Sequence, residues 1–124
     1  DTGGSIILFA SAAAEIGIAN HEAIAAAKAG VIGLARSAAA TYAGQNLRVN
    51  VISPGLVKTE LSKRIWANAT NATASTQMHA LQRLGEPSQI ASAVAWLLDS
   101  EQDWITGQVI GIDGGLGKLI PRRA

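Results

Sequence analysis

The sequence contains no cysteine, which excludes a disulfide framework and any thiolate metal site and makes a reducing, cytoplasmic compartment the expectation. Charge is scarce as well: 15% of residues are Asp, Glu, Lys or Arg, and the net charge is +1. Apart from Arg122 and Arg123 at the tail, the cations are scattered, so there is no basic stripe of the kind nucleic acid requires. Histidine occurs twice, at His21 and His79, too far apart in sequence to suggest a metal site, and His79 is expected at the surface. Aromatic residues are 4% of the chain. Trp66, Trp96 and Trp104 read as core or interface anchors, because large aromatics dominate buried contacts. The longest apolar stretches, residues 5–14 and 24–43, are broken by Glu15, Lys28, Arg36 or glycines before the roughly 20 residues a bilayer demands, so no membrane helix is expected. The opening Asp1-Thr2-Gly3-Gly4 has neither a signal-peptide pattern nor an initiating methionine, and suggests a piece of something longer.

What is present is a 124-residue chain, 48% hydrophobic, with a positive mean hydropathy. That length supports a single domain, residues 1–124, with a modest core. The composition lies far from the disordered regime and is apolar enough that part of the surface is expected to meet a partner.

Residues 5–10 form a short continuous apolar run after Gly3-Gly4, as in a strand buried on both faces of a parallel sheet. Residues 22–43 are Ala-rich with Ile24, Val31, Leu34 and Ala38 at helical spacing, ending at Gly44. Residues 48–53 are β-rich and stop at Pro54-Gly55. Residues 59–84 lack a sustained period and read as short helix and mobile loop. Glu86-Pro87-Ser88 opens a helix with Ile90, Ala93, Val94, Leu97 and Leu98 on one face. Residues 108–112 form a third apolar strand closed by Asp113-Gly114-Gly115. Strand, helix, strand, helix, strand predicts a parallel α/β sheet of three strands with crossover helices. Nothing in the chain protects the edge of the first strand, so another polypeptide or a second copy is expected to continue the sheet.

Four segments in order, Gly3-Gly4-Ser5-Ile6, Lys28-Ala29-Gly30-Val31-Ile32-Gly33-Leu34, Arg48-Val49-Asn50-Val51-Ile52-Ser53-Pro54-Gly55, and Thr106-Gly107-Gln108 with Asp113-Gly114-Gly115, resemble short-chain dehydrogenases/reductases over nearly the whole chain. The resemblance implies a partial doubly wound, Rossmann-like fold: the last three strands of a seven-stranded sheet, the C-terminal half of the domain. It implies NAD or NADP as cofactor. Ser11 matches the serine that hydrogen-bonds the substrate oxygen, and Lys28 the lysine that holds the nicotinamide ribose. Pro54, Gly55, Val57 and Thr59 match the segment that touches the carboxamide, mainly through the Val57 backbone and the Thr59 side chain. The small-residue helix 22–43 corresponds to one that pairs with its counterpart in a dimer, so a homo-oligomer is expected.

The chain departs from the family at its catalytic tyrosine, whose position is Ile24. An isoleucine cannot exchange a proton, and loss of a general acid costs roughly 100- to 10,000-fold in rate. The enoyl-acyl carrier protein reductases of this superfamily place their tyrosine seven residues before the lysine, and the run from Ala14 to Asn20 is similar to theirs; that position here is His21. Positions 21, 24 and 28 fall at i, i+3 and i+7, one stripe of a helix, and a histidine there can exchange protons near neutral pH. The family's phosphate-binding glycine loop has no counterpart, since the glycines at 111, 114, 115 and 117 open no helix. Tight binding of NAD or NADP by this chain alone is therefore not expected, and the expectation is a truncated oxidoreductase inactive by itself. Two other readings stand beside it. Ser11, His21 and Glu15 or Glu22 supply the residue types of an ester hydrolase, and decay of the site would leave a non-catalytic oligomerisation module. Plain structural roles are also open: Ser11 as a turn cap, Lys28 as a solvated lysine, Ile24 as a packing residue, and His21 as a partner for backbone groups at a helix start.

Overall fold

The computed structural model describes residues 3–122. Three parallel strands, β1 (Gly4–Phe9), β2 (Leu47–Pro54) and β3 (Val109–Ile112), lie in the order β1-β2-β3, as the alternation of strand and helix signals predicts. Helix α1 (Glu22–Tyr42) crosses from β1 to β2. Helices α2 (Lys63–Trp66), α3 (Ala69–Met78) and α4 (Pro87–Leu98) fall between β2 and β3. The register pairs Phe9 with Ile52 and Pro54 with Ile112, so the carboxyl ends of all three strands meet along one edge.

β2 is the centre of the fold because its sequence suits burial on both faces. Val49 and Val51 turn one way and pack with Ala10, Ala35 and Ala39 beneath α1. Arg48 and Asn50 turn the other way, toward the carboxyl end of α4, since alternate residues of a strand point to opposite faces. There the Arg48 guanidinium is buried with no carboxylate partner among the described residues, and carbonyls take its place. Nη1 donates to Ile105 O and Nη2 to Leu97 O, each at 3.1 Å. Ser5 Oγ donates to the same Leu97 O, and Asn50 Nδ2 to the same Ile105 O. Asn50 Oδ1 accepts Gln108 N–H and Thr106 Oγ1 accepts Val49 N–H. The Arg-Val-Asn and Thr-Gly-Gln motifs are therefore two halves of one polar clamp that satisfies buried groups at the amino end of β2.

The helices differ from expectation at particular positions of their inward faces. The covered stripe of α1 runs through Lys28, Val31, Ile32, Ala35, Ala38 and Ala39, whereas Leu34, counted on the apolar face from its spacing, is 61% exposed. Ile24, expected as a packing residue, is also exposed. In α4 the face built from Ile90, Ala93, Val94 and Leu97 holds, while Leu98 at the helix end is exposed. Glu86 and Gln89 form the capping box that starts α4, with Pro87 in its first turn. Of the tryptophans expected as anchors, Trp104 is 95% exposed and Trp96 half exposed, and Trp66 is held by a bond from Nε1 to Thr59 O. The region without a readable period carries α2 and α3, the latter started by the Asn68 side chain accepting Asn71 N–H.

By length and composition, the stretch Glu22–Gln45 meets the requirement for a membrane span, against the reading of interrupted apolar runs. In the structure it joins two strands hydrogen-bonded to each other and packs Ala35 and Ala39 onto the sheet, the position of a crossover helix in an α/β sheet. Most of its surface is left uncovered by this chain.

Candidate functional site

Open parallel sheets leave a crevice beyond the carboxyl ends of their strands, and the sequence-predicted residues distribute around that edge. Ser11 stands two residues after the end of β1. It caps a short 3-10 turn, Ala12–Ala14, its Oγ accepting Ala13 N–H at 3.1 Å. Lys28 lies on the inward stripe of α1 and reaches back to the same strand end, Nζ donating to Phe9 O at 3.1 Å. His21 stands at the start of α1 with Nδ1 2.8 Å from Ala19 O, and Ile24 follows on the exposed first turn. Ser11 and Lys28 are thus brought to one strand end, while His21 is held to its own local backbone and makes no hydrogen bond to Ser11. Glu15 is paired instead with Lys118, at 3.4 Å. The three parts of a hydrolase are not assembled among the described residues, where no cluster of three metal-ligating side chains is found either.

Pro54, Gly55, Val57 and Thr59 come together as one wall of an open, mainly apolar cavity of about 630 Å³, completed by Phe9 and by Ile90 and Val94 of α4. The segment is braced from one side. Leu56 O accepts Gly85 N–H at 2.9 Å and Lys58 N–H donates to Gly85 O at 3.0 Å. In extended backbone this turns the N–H of Val57 to the opposite side from Gly85. Val57 O accepts the Ser62 hydroxyl. The Thr59 side chain closes a local turn: its Oγ1 accepts Ser62 N–H at 3.3 Å and lies 3.2 Å from Ser62 Oγ.

Sequence reasoning misplaced one residue of this region. His79, expected at the surface, is 2% exposed. Leu56 N–H donates to its Nε2 at 3.1 Å, and its Nδ1 lies 2.7 Å from Ser75 O. It stands behind the 54–57 segment, where a second cavity of about 430 Å³ is lined by Gly55, His79, Arg83, Gln89 and Asp113 among others. Its only sequence signal was position: a histidine directly after a helix, followed by the Arg83-Leu84-Gly85 run that braces the segment.

Known proteins resemble this chain over the same elements. The family model described as Enoyl-(Acyl carrier protein) reductase matches residues 1–117. A 3-oxoacyl-[acyl-carrier-protein] reductase, FabG, of Thermotoga maritima is 39% identical over 113 residues, which is 91% of this chain and 45% of that protein. Among solved structures, a short-chain type dehydrogenase/reductase from Mycobacterium ulcerans superposes with a TM-score of 0.89 at 33% identity, over 94% of this chain and 42% of the other. The Pseudomonas aeruginosa RhlG/NADP active-site complex does so with a TM-score of 0.88 at 26% identity, over 94% and 46%. The chain thus spans less than half the length of these relatives.

Proposed function

The chain belongs to the short-chain dehydrogenase/reductase family, and from that premise we propose that it is the nicotinamide- and substrate-facing half of an NAD(P)-dependent oxidoreductase of the carbonyl, alcohol or enoyl reductase lineage. The observation that carries the reading is the crevice itself. Residues 54–59 form one wall of a cavity at the strand ends, and Lys28 is tied to the carbonyl of Phe9, which lines the same cavity.

The residues fit the nicotinamide end of a dinucleotide. Lys28 places a cation at the strand end for the ribose hydroxyls, and the Gly55 to Val57 backbone borders a mainly apolar space suited to a flat ring. Bound there, the dinucleotide supplies or accepts the hydride. Ser11 has spent a lone pair on Ala13 N–H but keeps its O–H to donate to a substrate oxygen. The remaining requirement is a proton for that oxygen. Ile24 has none to give; His21, with Nδ1 directed at Ala19 O, carries a second proton on Nε2 only as the imidazolium, and in that form it delivers one from Nε2 and returns to the neutral ring. The pyrophosphate end has no glycine loop here, so the chain alone binds the dinucleotide weakly and does not turn over. The glycine-loop half, which lies outside these 124 residues, completes the site against the edge of β1 that faces away from β2. The outer face of α1, with Gly30, Gly33 and Leu34, is the surface on which copies associate.

The test is consumption of NADH or NADPH, followed by absorbance, with a 3-oxoacyl thioester or a cyclic ketone. It is run on the chain alone and on the chain mixed with the glycine-loop half of the Thermotoga relative. Turnover only in the mixture, abolished by Lys28→Ala and lowered by His21→Ala, is expected. Turnover indifferent to Lys28→Ala would remove the reading. A p-nitrophenyl ester assay gives the hydrolase alternative its chance, and hydrolysis lost in Ser11→Ala would favour it instead.

A further inference from the structure

We infer that His79 is a positioning residue for the cofactor-facing segment. It holds the Leu56 amide so that Gly55, Leu56 and Val57 keep a single backbone path along the crevice. The functional meaning of this rests on the oxidoreductase reading; the pin itself does not.

Three observations converge on the ring. First, its two nitrogens face opposite kinds of group: Nε2 receives the Leu56 N–H, and Nδ1 faces the Ser75 carbonyl. Only one neutral arrangement satisfies both, with the proton on Nδ1 and the lone pair on Nε2. The ring is therefore a directional link between α3 and the segment after β2. Second, the approach is too close for a side chain at position 55. A Cβ built on Gly55 would lie 2.8 Å from Nε2 and 3.0 Å from Asp113 Cα and O. Glycine at 55 and histidine at 79 are thus one fitted pair. Third, the histidine is itself fixed. Its N–H donates to Thr76 O, its carbonyl accepts from Gln82 N and from Gln82 Nε2, and two residues on Leu81 N–H donates to Gly114 O. The segment is consequently held on one side by Gly85 and at Leu56 by a buried ring. Position 56 has no strand partner for its N–H, because β2 ends at Pro54. Without the ring, that part-buried donor would lose its partner.

The measurement is amide hydrogen exchange, residue by residue, on the 124-residue chain. Leu56 N–H is expected to be slow. In His79→Leu its rate rises by about tenfold or more while Val51 and Ile52 are unchanged, which is local opening and not global unfolding. His79→Gln, which returns an acceptor near the Nε2 position, restores most of the protection. A Leu56 amide unprotected in the unaltered chain, or equally slow in His79→Leu, overturns the inference. Should His79→Leu fail to fold, ¹⁵N shifts of the ring in the unaltered chain decide: the Nδ1–H form is expected, and an Nε2–H ring refutes the pin. In the mixture with a glycine-loop half, KM for the dinucleotide rises in His79→Leu more than kcat falls, and recovers in His79→Gln. If exchange supports the pin but the unaltered mixture never binds a dinucleotide, the redox reading fails and the pin stands.

Discussion

Replacing Gly55 by alanine adds one methyl group at the tightest point of the site, and its cost can be worked from the contacts. The new carbon would meet His79 Nε2 at 2.8 Å and the Asp113 backbone at 3.0 Å, against the roughly 3.5–4.0 Å at which carbon contacts become attractive. Neither neighbour is free to retreat. Asp113 is held through Oδ1 by Gly115 N–H, through Oδ2 by Gly117 N–H, and through its carbonyl by Leu116 N–H. His79 is buried and bonded at both ring nitrogens. Overpacking of this kind costs about 1–3 kcal/mol, and loosening the Leu56–His79 bond adds about 1 kcal/mol. The smaller entropy of the unfolded alanine chain returns about 0.4–1 kcal/mol. The net is a loss of about 1–3.5 kcal/mol, which for a chain of this size lowers the melting midpoint by roughly 4–14 °C. Gly30→Ala, compared at a dilution where sedimentation shows both proteins as monomers, is the matched control. The same methyl group in α1 meets nothing within 4 Å, and an alanine inside a helix gains about 0.5–1 kcal/mol over glycine. Thermal unfolding followed by circular dichroism should move in opposite directions for the two variants. Equal shifts, or a Gly55→Ala midpoint within about 1 °C of the parent, would refute the close approach and the reasoning built on it.

Three further outcomes follow from the same contacts. Arg48→Met removes both guanidinium bonds but leaves Leu97 O with Ser5 and Ile105 O with Asn50, so urea unfolding should show a moderate loss of about 1–3 kcal/mol; a loss under about 0.5 kcal/mol would mean the clamp does not depend on the arginine. Leu34→Glu alters an exposed side chain, so the fold should change by no more than about 0.5 kcal/mol, while sedimentation should shift toward monomer; unchanged association would move the contact away from the outer face of α1. Ile24→Tyr puts a proton donor one turn before Lys28 at an exposed position and should raise turnover of the mixture with a glycine-loop half by roughly 100- to 10,000-fold. No change in a folded variant would show that the crevice does not use that position.

Strands, the two long helices and the order of elements were legible because each carries a local signal: apolar runs for β1 and β2, the Ala-rich stretch for α1, the Glu86-Pro87 start for α4. The parallel pairing followed from the alternation of strand and helix, and the gathering of residues 54–59 at the strand ends followed from Pro54-Gly55 stopping β2. What could not be read was set by contacts distant in sequence. Arg48 gives no sign that its partners are carbonyls about 50 and 57 residues away. Leu34 shares the spacing of an apolar face, but the sheet meets the stripe of Ala35 and Ala39, and small residues leave periodicity weak. His79 looked like a lone surface histidine because both of its partners, Ser75 O and Leu56 N–H, are backbone groups, to which a side-chain pattern is blind. Ser11 illustrates the converse: its turn cap and its place at the strand end are both realised in one geometry.

Titration calorimetry of NADPH and of NADH into this chain, alone and then with a glycine-loop half present, tests the central claim most directly. Saturable binding only in the mixture, weakened by Lys28→Ala, is the result the account predicts. Saturable sub-micromolar binding by the chain alone, or none in a mixture shown by sedimentation to have formed, would contradict it.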